Sequence, residues 1–179
     1  MKIFSLKPSR LNIVTLIVAL GLTISSYIGE IPSAFAQTFQ PPQMIASLFS
    51  FSGNRPKNLG VEEGKFANCP DSPNCVSSQS IDVVHQIDPL NYGDQSPTEA
   101  FEKLKTIIKN MDNAKIITET ESYLYAEFTS ALMGFVDDVE FSLDKPEQII
   151  HVRSASRLGE SDLGVNRNRI EMIRSVFES

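Results

Sequence analysis

The chain has 179 residues, with 16 basic and 22 acidic side chains and a net charge of −6. This acidic balance argues against nonspecific binding to nucleic acid, because such binding depends on lysine and arginine side chains that neutralise phosphates. No basic cluster with interleaved aromatic residues offsets it.

The N-terminus predicts an export signal over residues 1–36. A basic start that includes Lys2 and Arg10 precedes the apolar run Leu11–Leu22, and small residues then precede a cleavage site before Gln37. Cleavage removes three basic side chains and one acidic one. The remaining 13 basic and 21 acidic side chains give a net charge of −8, and the remaining length is that of one domain. The alternative is a retained membrane anchor through residues 11–28, since this stretch approaches the roughly 20 residues that cross a bilayer.

The exported part is predicted to hold an arm and one domain. Residues 37–54 lack sustained periodicity and are predicted to be a flexible arm or linker, and residues 55–179 form the domain. The start of the domain, up to Gln79, is rich in glycine, proline, asparagine and serine, which predicts an ordered loop layer.

The only two cysteines, Cys69 and Cys75, lie in this loop layer. In an exported chain they are predicted to form a disulfide. Their Cα atoms must then lie about 5.5 Å apart, so the loop has to turn back, and Pro70, Pro73 and Asn74 allow such a turn.

Three other roles for the cysteines stay open. A redox couple would normally have two intervening residues. A zinc site would need His85 and His151 as further ligands, although the spacing is not that of a standard zinc finger. A cysteine nucleophile would need a neighbouring base. The disulfide is the favoured interpretation, and no metal or cofactor is predicted.

Regular structure is predicted to begin with a strand over Ile81–Ile87, in which Ile81, Val83 and His85 alternate with other residues. A helix follows, with Ser96 as its N-cap, Pro97 at its first position and Glu99 completing a capping box. Its apolar stripe consists of Phe101, Leu104, Ile108 and Met111.

Four more strands and a final helix are predicted. The strands are Lys115–Thr120, Tyr123–Leu132, Val136–Asp144 and Gln148–Ser156. The helix has Ile170, Ile173 and Phe177 on its apolar side, with Asp162 or Asn166 as its cap. The sequence thus predicts an α+β fold: an antiparallel, meander-like sheet of four to five strands, two helices packed on one face, and an N-terminal disulfide-stapled loop layer.

Strand alternation gathers polar side chains on the sheet face that points away from the core. Asp138 and Glu140 are predicted to lie beside His151 and Arg153, with Glu127 nearby. Such a group forms either an ordinary surface network or a ligand or partner face. A serine triad of Ser77 or Ser78 with His151 and Asp137 is supported by composition alone, because no nucleophile-elbow motif is present.

Five of the seven arginines lie between Arg153 and Arg174. Arg153, Arg157 and Arg167, together with the N-terminus of the last helix, are a candidate site for an anion such as phosphate or carboxylate. The alternative is structural, in which these arginines bind Asp137, Asp138, Asp162 and loop carbonyls. The candidate ligand or partner face therefore comprises Glu127, Asp137, Asp138, Glu140, His151, Arg153, Arg157, Asp162, Asn166 and Arg167.

Six motifs together resemble domain of unknown function family 1499. They are Arg55–Val61, Cys69–Gln79, Ala126–Ser130, Phe135–Phe141, His151–Arg157 and Ser161–Arg167. The resemblance covers roughly Arg55 to Phe177. It implies a bacterial, cyanobacterial or plastid protein, so the expected destination is the periplasm or the thylakoid lumen, and it supplies no activity.

The expected function is that of an exported, non-catalytic binding or assembly module for a protein or a small anionic ligand, with no nucleic-acid partner. Membrane contact is expected only through the signal segment, if that segment is retained. The alternative is an uncharacterised enzyme that uses the acidic, histidine and arginine side chains of the sheet face, namely Asp137, Asp138, Glu127, His151 and Arg153.

Overall fold

The computed structural model describes residues 51–179, so the predicted export signal and most of the predicted arm lie outside the described residues. The strands are β1 (Cys75–Ser77), β2 (Leu90–Asn91), β3 (Ala114–Glu119), β4 (Tyr123–Thr129), β5 (Val136–Asp144) and β6 (Ile149–Ser156). The helices are α1 (Pro97–Lys109) and α2 (Val165–Phe177). No helix in this part of the chain is long and apolar enough to cross a bilayer.

The six strands form one antiparallel sheet in the order β1-β6-β5-β4-β3. The short strand β2 pairs with β6 next to β1, so the two share one edge of the sheet. Strands β3 to β6 are consecutive neighbours, as in a meander. The predicted α+β class, the antiparallel sheet and the two helices are confirmed.

Helix α1 begins where its local signals predict. The Ser96 hydroxyl accepts a hydrogen bond from the Glu99 backbone N–H (3.3 Å) and donates one to the Glu99 carboxylate (2.7 Å). Pro97 occupies the first turn, where no backbone donor is needed. This arrangement satisfies polar groups at the helix start that would otherwise lack partners.

Helix α2 has a less usual start. Gly164 precedes it with φ of 82°, a left-handed conformation that glycine adopts without strain. The cap comes from Asp162, whose carboxylate accepts hydrogen bonds from the backbone N–H of Gly164 (3.0 Å) and of Asn166 (2.7 Å). Asp162 thus acts as the predicted cap, and its negative charge lies at the positive end of the helix.

The hydrophobic core lies between the two helices and one face of the sheet. Its fully buried large side chains include Phe101, Leu104, Ile108, Leu124, Phe128, Phe141, Ile150, Ile170, Ile173 and Phe177. Truncation of one such phenylalanine to alanine costs about 3–5 kcal/mol of stability. This core fixes which face of each strand is left for polar side chains.

The other face of the sheet is covered by the chain that leads into the domain. We call residues 51–66 the N-terminal strap. Gly60 donates its backbone N–H to the Glu140 carboxylate of β5 at 2.7 Å, and Arg55 contacts Glu127 of β4. At its far end, Phe66 is buried and donates its backbone N–H to the Gln79 side chain. The strap therefore covers part of the sheet face opposite the helices.

The disulfide between Cys69 and Cys75 is present, with a Cα–Cα distance of 5.6 Å. It ends at the first residue of β1, which pairs with Ala155 of β6. The bond therefore ties the predicted loop layer to the edge of the sheet. Because both cysteines are in the disulfide, the zinc-site and nucleophile interpretations lose their thiolates, whereas a redox couple would contain the same bond in its oxidised form.

Two predicted strands need correction. The segment Ile81–Ile87 is a series of turns, because the Asp82 carboxylate accepts from the Val84 N–H and the Asp82 carbonyl accepts from Gln86. The strand predicted from Tyr123 ends at Thr129, where Ser130 starts the turn to β5. In both cases local hydrogen bonds outweighed an apolar pattern.

Candidate functional site

Strand parity divides the candidate residues between the two faces of the sheet. Asp138 and Glu140 point away from the helices, as predicted. Arg153 of β6 and Arg157, which directly follows β6, lie on the same side of the sheet. We call this group the polar face. Its members are Tyr123, Tyr125, Glu127, Asp138, Glu140, Arg153 and Arg157.

The first half of the polar face centres on Arg157. Its guanidinium donates to both oxygens of Asp138, at 2.9 Å from Nε to Oδ2 and 2.7 Å from Nη2 to Oδ1. The same Nη2 also contacts Glu127, which receives a second hydrogen bond from Arg55 of the strap (2.6 Å). The Tyr125 hydroxyl donates to Asp138 at 2.6 Å. Arg157 Nη2 also donates to the Tyr125 hydroxyl at 3.0 Å, so one guanidinium is bound by two carboxylates and a phenol.

These contacts shift the ionisation of their members. The hydrogen bond to Asp138 raises the pKa of Arg157 and outweighs the effect of burial. Burial alone would raise the pKa of Glu127, but the hydrogen bonds from Arg157 and Arg55 lower it below its usual range. Burial, together with the bond to Asp138, raises the pKa of Tyr125. The lowered pKa keeps Glu127 ionised at neutral pH, and the raised pKa keeps the Tyr125 phenol neutral.

The second half of the polar face centres on Glu140, whose side chain is fully buried. It accepts hydrogen bonds from Gly60 N (2.7 Å), the Tyr123 hydroxyl (2.8 Å) and Arg153 Nη1 (3.1 Å). Burial and the neighbouring Glu140 raise the pKa of Tyr123. Within residues 51–179, Arg153 Nε is the buried side-chain polar atom that has no hydrogen-bond partner.

The charges of the polar face cancel once the strap is included. Three guanidinium groups face three carboxylates, in the pairs Arg55–Glu127, Arg157–Asp138 and Arg153–Glu140. The pairs Arg157–Asp138 and Arg153–Glu140 are buried, and such charges are tolerated because they are paired and hydrogen-bonded. The arrangement offers an external anion no unmatched positive charge, because each guanidinium already has its carboxylate.

A second buried polar group lies on the helix side of the sheet. Asp137 pairs there with Arg169 of α2, which also donates to the Asn166 side chain at 2.7 Å. Asn166 is fully buried, accepts from Ser154 (2.6 Å) and donates to the backbone carbonyl of Asn74 (2.9 Å). This group joins α2 to β5, to β6 and to the end of the disulfide loop.

His151 lies apart from both groups. Its Nδ1 is 3.1 Å from the Ser78 hydroxyl, and its Nε2 is 3.6 Å from Asp144. The Ser78 hydroxyl also accepts from the Val152 backbone N–H at 3.0 Å, so it completes the pairing of β6 beyond the end of β1. The triad considered with Asp137 is wrong, because Asp137 lies on the other side of the sheet with Arg169.

Arg167 is also separate, since it donates to the backbone carbonyl of Val84 at 3.1 Å. The ten candidate residues therefore occupy four places: the polar face, the helix-side group, the surroundings of His151, and the α2 start. Within the described part of the chain, no three histidine, cysteine, aspartate or glutamate residues lie together as metal ligands.

Sequence reasoning missed several members of these groups. Tyr123 and Tyr125 alternate with the core residue Leu124, so strand parity alone would place them beside Glu127. Arg169 follows Asn166 by three positions on α2, a spacing that puts both on one side of a helix. Arg55 carries no such signal, because its contact with Glu127 spans 72 positions of the chain.

A family model described as "protein of unknown function (DUF1499)" matches residues 65–177. The chain belongs to the DUF1499 family. No curated protein and no solved structure matches it. The region that matches the DUF1499 model holds the whole sheet, both helices and the disulfide, whereas Arg55 and Gly60, which complete the polar face, come from the strap before it.

Proposed function

We propose that this DUF1499 protein is an exported, non-catalytic module that binds a protein partner through an exposed aliphatic loop. The loop is defined by Ile81, Val83 and Val84, whose exposed fractions are 100%, 83% and 58%. Three neighbouring exposed aliphatic side chains are typical of an interaction site, whereas single exposed ones are ordinary. This loop is the observation that carries the proposal.

The aliphatic loop is held in shape by contacts on several sides. Asp82 accepts from the Val84 N–H (2.9 Å), and the His85 ring binds Asp82 on one side and the Ser72 carbonyl on the other (3.1 Å). Arg167 of α2 donates to the Val84 carbonyl. A loop that is already ordered loses little conformational entropy when it binds, which favours its use as an anchor.

The chemistry of the loop also indicates the kind of partner. Asp82 lies between the exposed aliphatic side chains, and the hydrogen bonds from Val84 and His85 lower its pKa, so it carries a negative charge at neutral pH. An exposed aliphatic loop with one carboxylate fits an apolar pocket bordered by lysine or arginine. The partner we propose is a protein with such a pocket.

A small anionic ligand has less support, because the arginines expected to bind it are matched by carboxylates. The enzyme alternative also has less support, because its residues do not come together. Asp137 pairs with Arg169 on the helix side of the sheet, and His151 lies beside Ser78 and Asp144. Addition of phosphate or acetate tests the ligand version directly. A rise in melting temperature with either anion, beyond that with chloride at equal ionic strength, would favour it.

Export is the second part of the proposal, to the periplasm or the thylakoid lumen. The apolar run Leu11–Leu22 and the disulfide support it, because disulfides persist in oxidising compartments. Retention through residues 11–28 is the alternative. Fractionation with protease protection, followed by N-terminal sequencing of the purified protein, distinguishes a form that begins at Gln37 from an anchored one.

Photocrosslinking tests the partner site. A photoreactive side chain replaces Val84 in one variant and Met172 of α2 in another, because both positions are 58% exposed. We expect the Val84 position alone to crosslink a particular protein of the exported fraction. That protein, once purified, should bind the wild type at least about tenfold more tightly than Val83→Asp, as expected when an apolar contact is lost. Equal capture at both positions, or equal binding by Val83→Asp, would refute the aliphatic loop as the site.

A further inference from the structure

A groove of about 1110 Å³ lies beside the strap, where β4 turns into β5. Apolar side chains from the strap, β3 and the turn line it, and they include Phe51, Ala114, Leu132 and Met133. Leu132 is 92% exposed. A groove of this size with an apolar lining is typical of a binding site.

The chain itself leads into this groove. Phe51, the first described residue, lines the groove, and its ring stacks on Phe135 with the ring centroids 5.5 Å apart. The strap continues from there over the polar face, through Gly53 next to Arg157 to Arg55 on Glu127. The groove is the part of this face that residues 51–66 leave open, on the side of β3 and β4.

The sequence just before Phe51 has the composition to fill it. Met44, Ile45, Leu48 and Phe49 form an apolar cluster in the sequence of the arm, whose other aromatic residues are Phe39 and Phe51. Phe49 can lie at most about 7 Å from Phe51, and Met44 at most about 25 Å. Because the cluster is tethered this closely, its effective concentration at the groove is on the order of millimolar, well above that of a free partner.

We propose that the segment Met44–Phe49 of the same chain binds in this groove and extends the strap across β3 and β4. The groove is then an intramolecular docking site, and the partner surface is left to the aliphatic loop. This inference rests on Phe51 and the groove and does not depend on the proposed function. It refines the prediction of a flexible arm, because one segment of that arm is now proposed to bind the domain.

Matched substitutions in the arm test the proposal. Phe49→Asp and Phe39→Asp are introduced into the full-length gene, and each protein is purified as the host processes it. The two changes have the same chemistry ten positions apart, but only Phe49 lies in the proposed segment. We expect Phe49→Asp to raise the unfolding equilibrium constant in urea at least about tenfold, as expected for the loss of one buried phenylalanine. We expect Phe39→Asp to leave it nearly unchanged.

A second pair of substitutions locates the contact. Leu132→Asp lies on the groove, and Leu163→Asp, at 91% exposure, lies outside it. If the segment covers Leu132, the effects of Phe49→Asp and Leu132→Asp should be strongly non-additive, whereas those of Phe49→Asp and Leu163→Asp should add. Hydrogen exchange of the backbone at Thr129–Val136 should speed up in Phe49→Asp and stay slow in Phe39→Asp.

Three results would overturn the proposal. The first is equal stability of Phe49→Asp and Phe39→Asp. The second is additivity of Phe49→Asp with Leu132→Asp. The third is a concentration-dependent dimer in sedimentation that Phe49→Asp abolishes, because the segment would then bind the groove of a second copy instead of its own.

Discussion

Arg157 and Asp138 form a two-point ion pair on the polar face of the sheet, in which Nε lies 2.9 Å from Oδ2 and Nη2 lies 2.7 Å from Oδ1. The Arg157 side chain is 6% exposed and that of Asp138 is 2% exposed. The pair is therefore largely removed from water, and each partner depends on the other for its charge balance. Its position beneath the strap indicates that the polar face holds the molecule together.

Removal of Arg157 should strongly destabilise the domain. Arg157→Met leaves Asp138 and Glu127 without their shared cation, which costs about 3–5 kcal/mol of unfolding free energy, measured by urea denaturation. Arg157→Lys should recover only part of it, because a lysine cannot bind both oxygens of Asp138 in the same way. Arg167→Met is the control, since that side chain makes one exposed hydrogen bond to a carbonyl and should cost about 1 kcal/mol or less. Equal losses in Arg157→Met and Arg167→Met would contradict the structural role.

Loss of the disulfide should have a smaller effect. In the chain-entropy model, the loop between Cys69 and Cys75 contributes about 2.4 kcal/mol, because it restricts the unfolded chain. Dithiothreitol should lower the urea midpoint of the wild type by a corresponding amount. It should leave the Cys69→Ser, Cys75→Ser double variant unchanged. If both thiols of the unreduced native protein react with an alkylating reagent, the disulfide assignment is wrong.

Alkaline pH should unfold the protein through its tyrosines. Burial raises the pKa of Tyr92, Tyr123 and Tyr125 above the ordinary value of 10.0. Because the pKa of each phenol is higher in the folded protein than in the unfolded chain, the neutral phenols stabilise the fold. This stabilisation is fully present below pH 10 and is lost as pH rises above 10. We expect the phenolate absorbance to rise together with loss of the far-ultraviolet circular dichroism. Phenolates that form in a fully folded protein at pH 10 would contradict the burial of these side chains.

Acid should weaken the contact between the strap and the sheet through Glu127. The pKa of Glu127 is lowered from its ordinary value of 4.5 because its hydrogen bonds from Arg157 and Arg55 outweigh its desolvation. Its contribution is therefore fully present above about pH 4.5 and is lost as pH falls below that value. Glu127→Gln should have a lower free energy of unfolding than the wild type at pH 7, measured by urea denaturation. Between pH 5 and pH 3 its free energy of unfolding should fall less steeply than that of the wild type. An unchanged slope would mean that Glu127 does not govern the acid response.

Much of the fold is encoded locally. Ser96, Pro97 and Glu99 define the start of α1 through contacts within four residues, so their pattern predicts the helix without knowledge of the rest. The alternation of Val139 and Phe141 with Asp138 and Glu140 likewise predicts which side of β5 is buried. The disulfide was predicted because the only two cysteines follow a predicted export signal, and Pro70, Pro73 and Asn74 between them allow the turn that the bond requires.

The alternating pattern of Ile81 and Val83 predicted a strand that the structure does not contain. A strand needs a partner along its length, and this segment has only an isolated bridge between Gln86 and Ser77. The side chain of Asp82 offers the backbone a local alternative, and the turns formed. The apolar residues that suggested a core strand became the exposed aliphatic loop.

The sequence by itself determined the elements whose stabilising contacts lie close along the chain: α1, the meander from β3 to β6, the disulfide and the cap of α2. Only the tertiary structure decided that Arg55 meets Glu127 across 72 positions, that neighbouring Asp137 and Asp138 serve opposite sides of the sheet, and that Arg169 rather than Arg157 neutralises Asp137. Local patterns set the direction of a side chain. Which charge that side chain meets depends on how distant segments pack. A buried ion is stable only where packing places a group of opposite charge beside it, because that interaction offsets the cost of removing the ion from water.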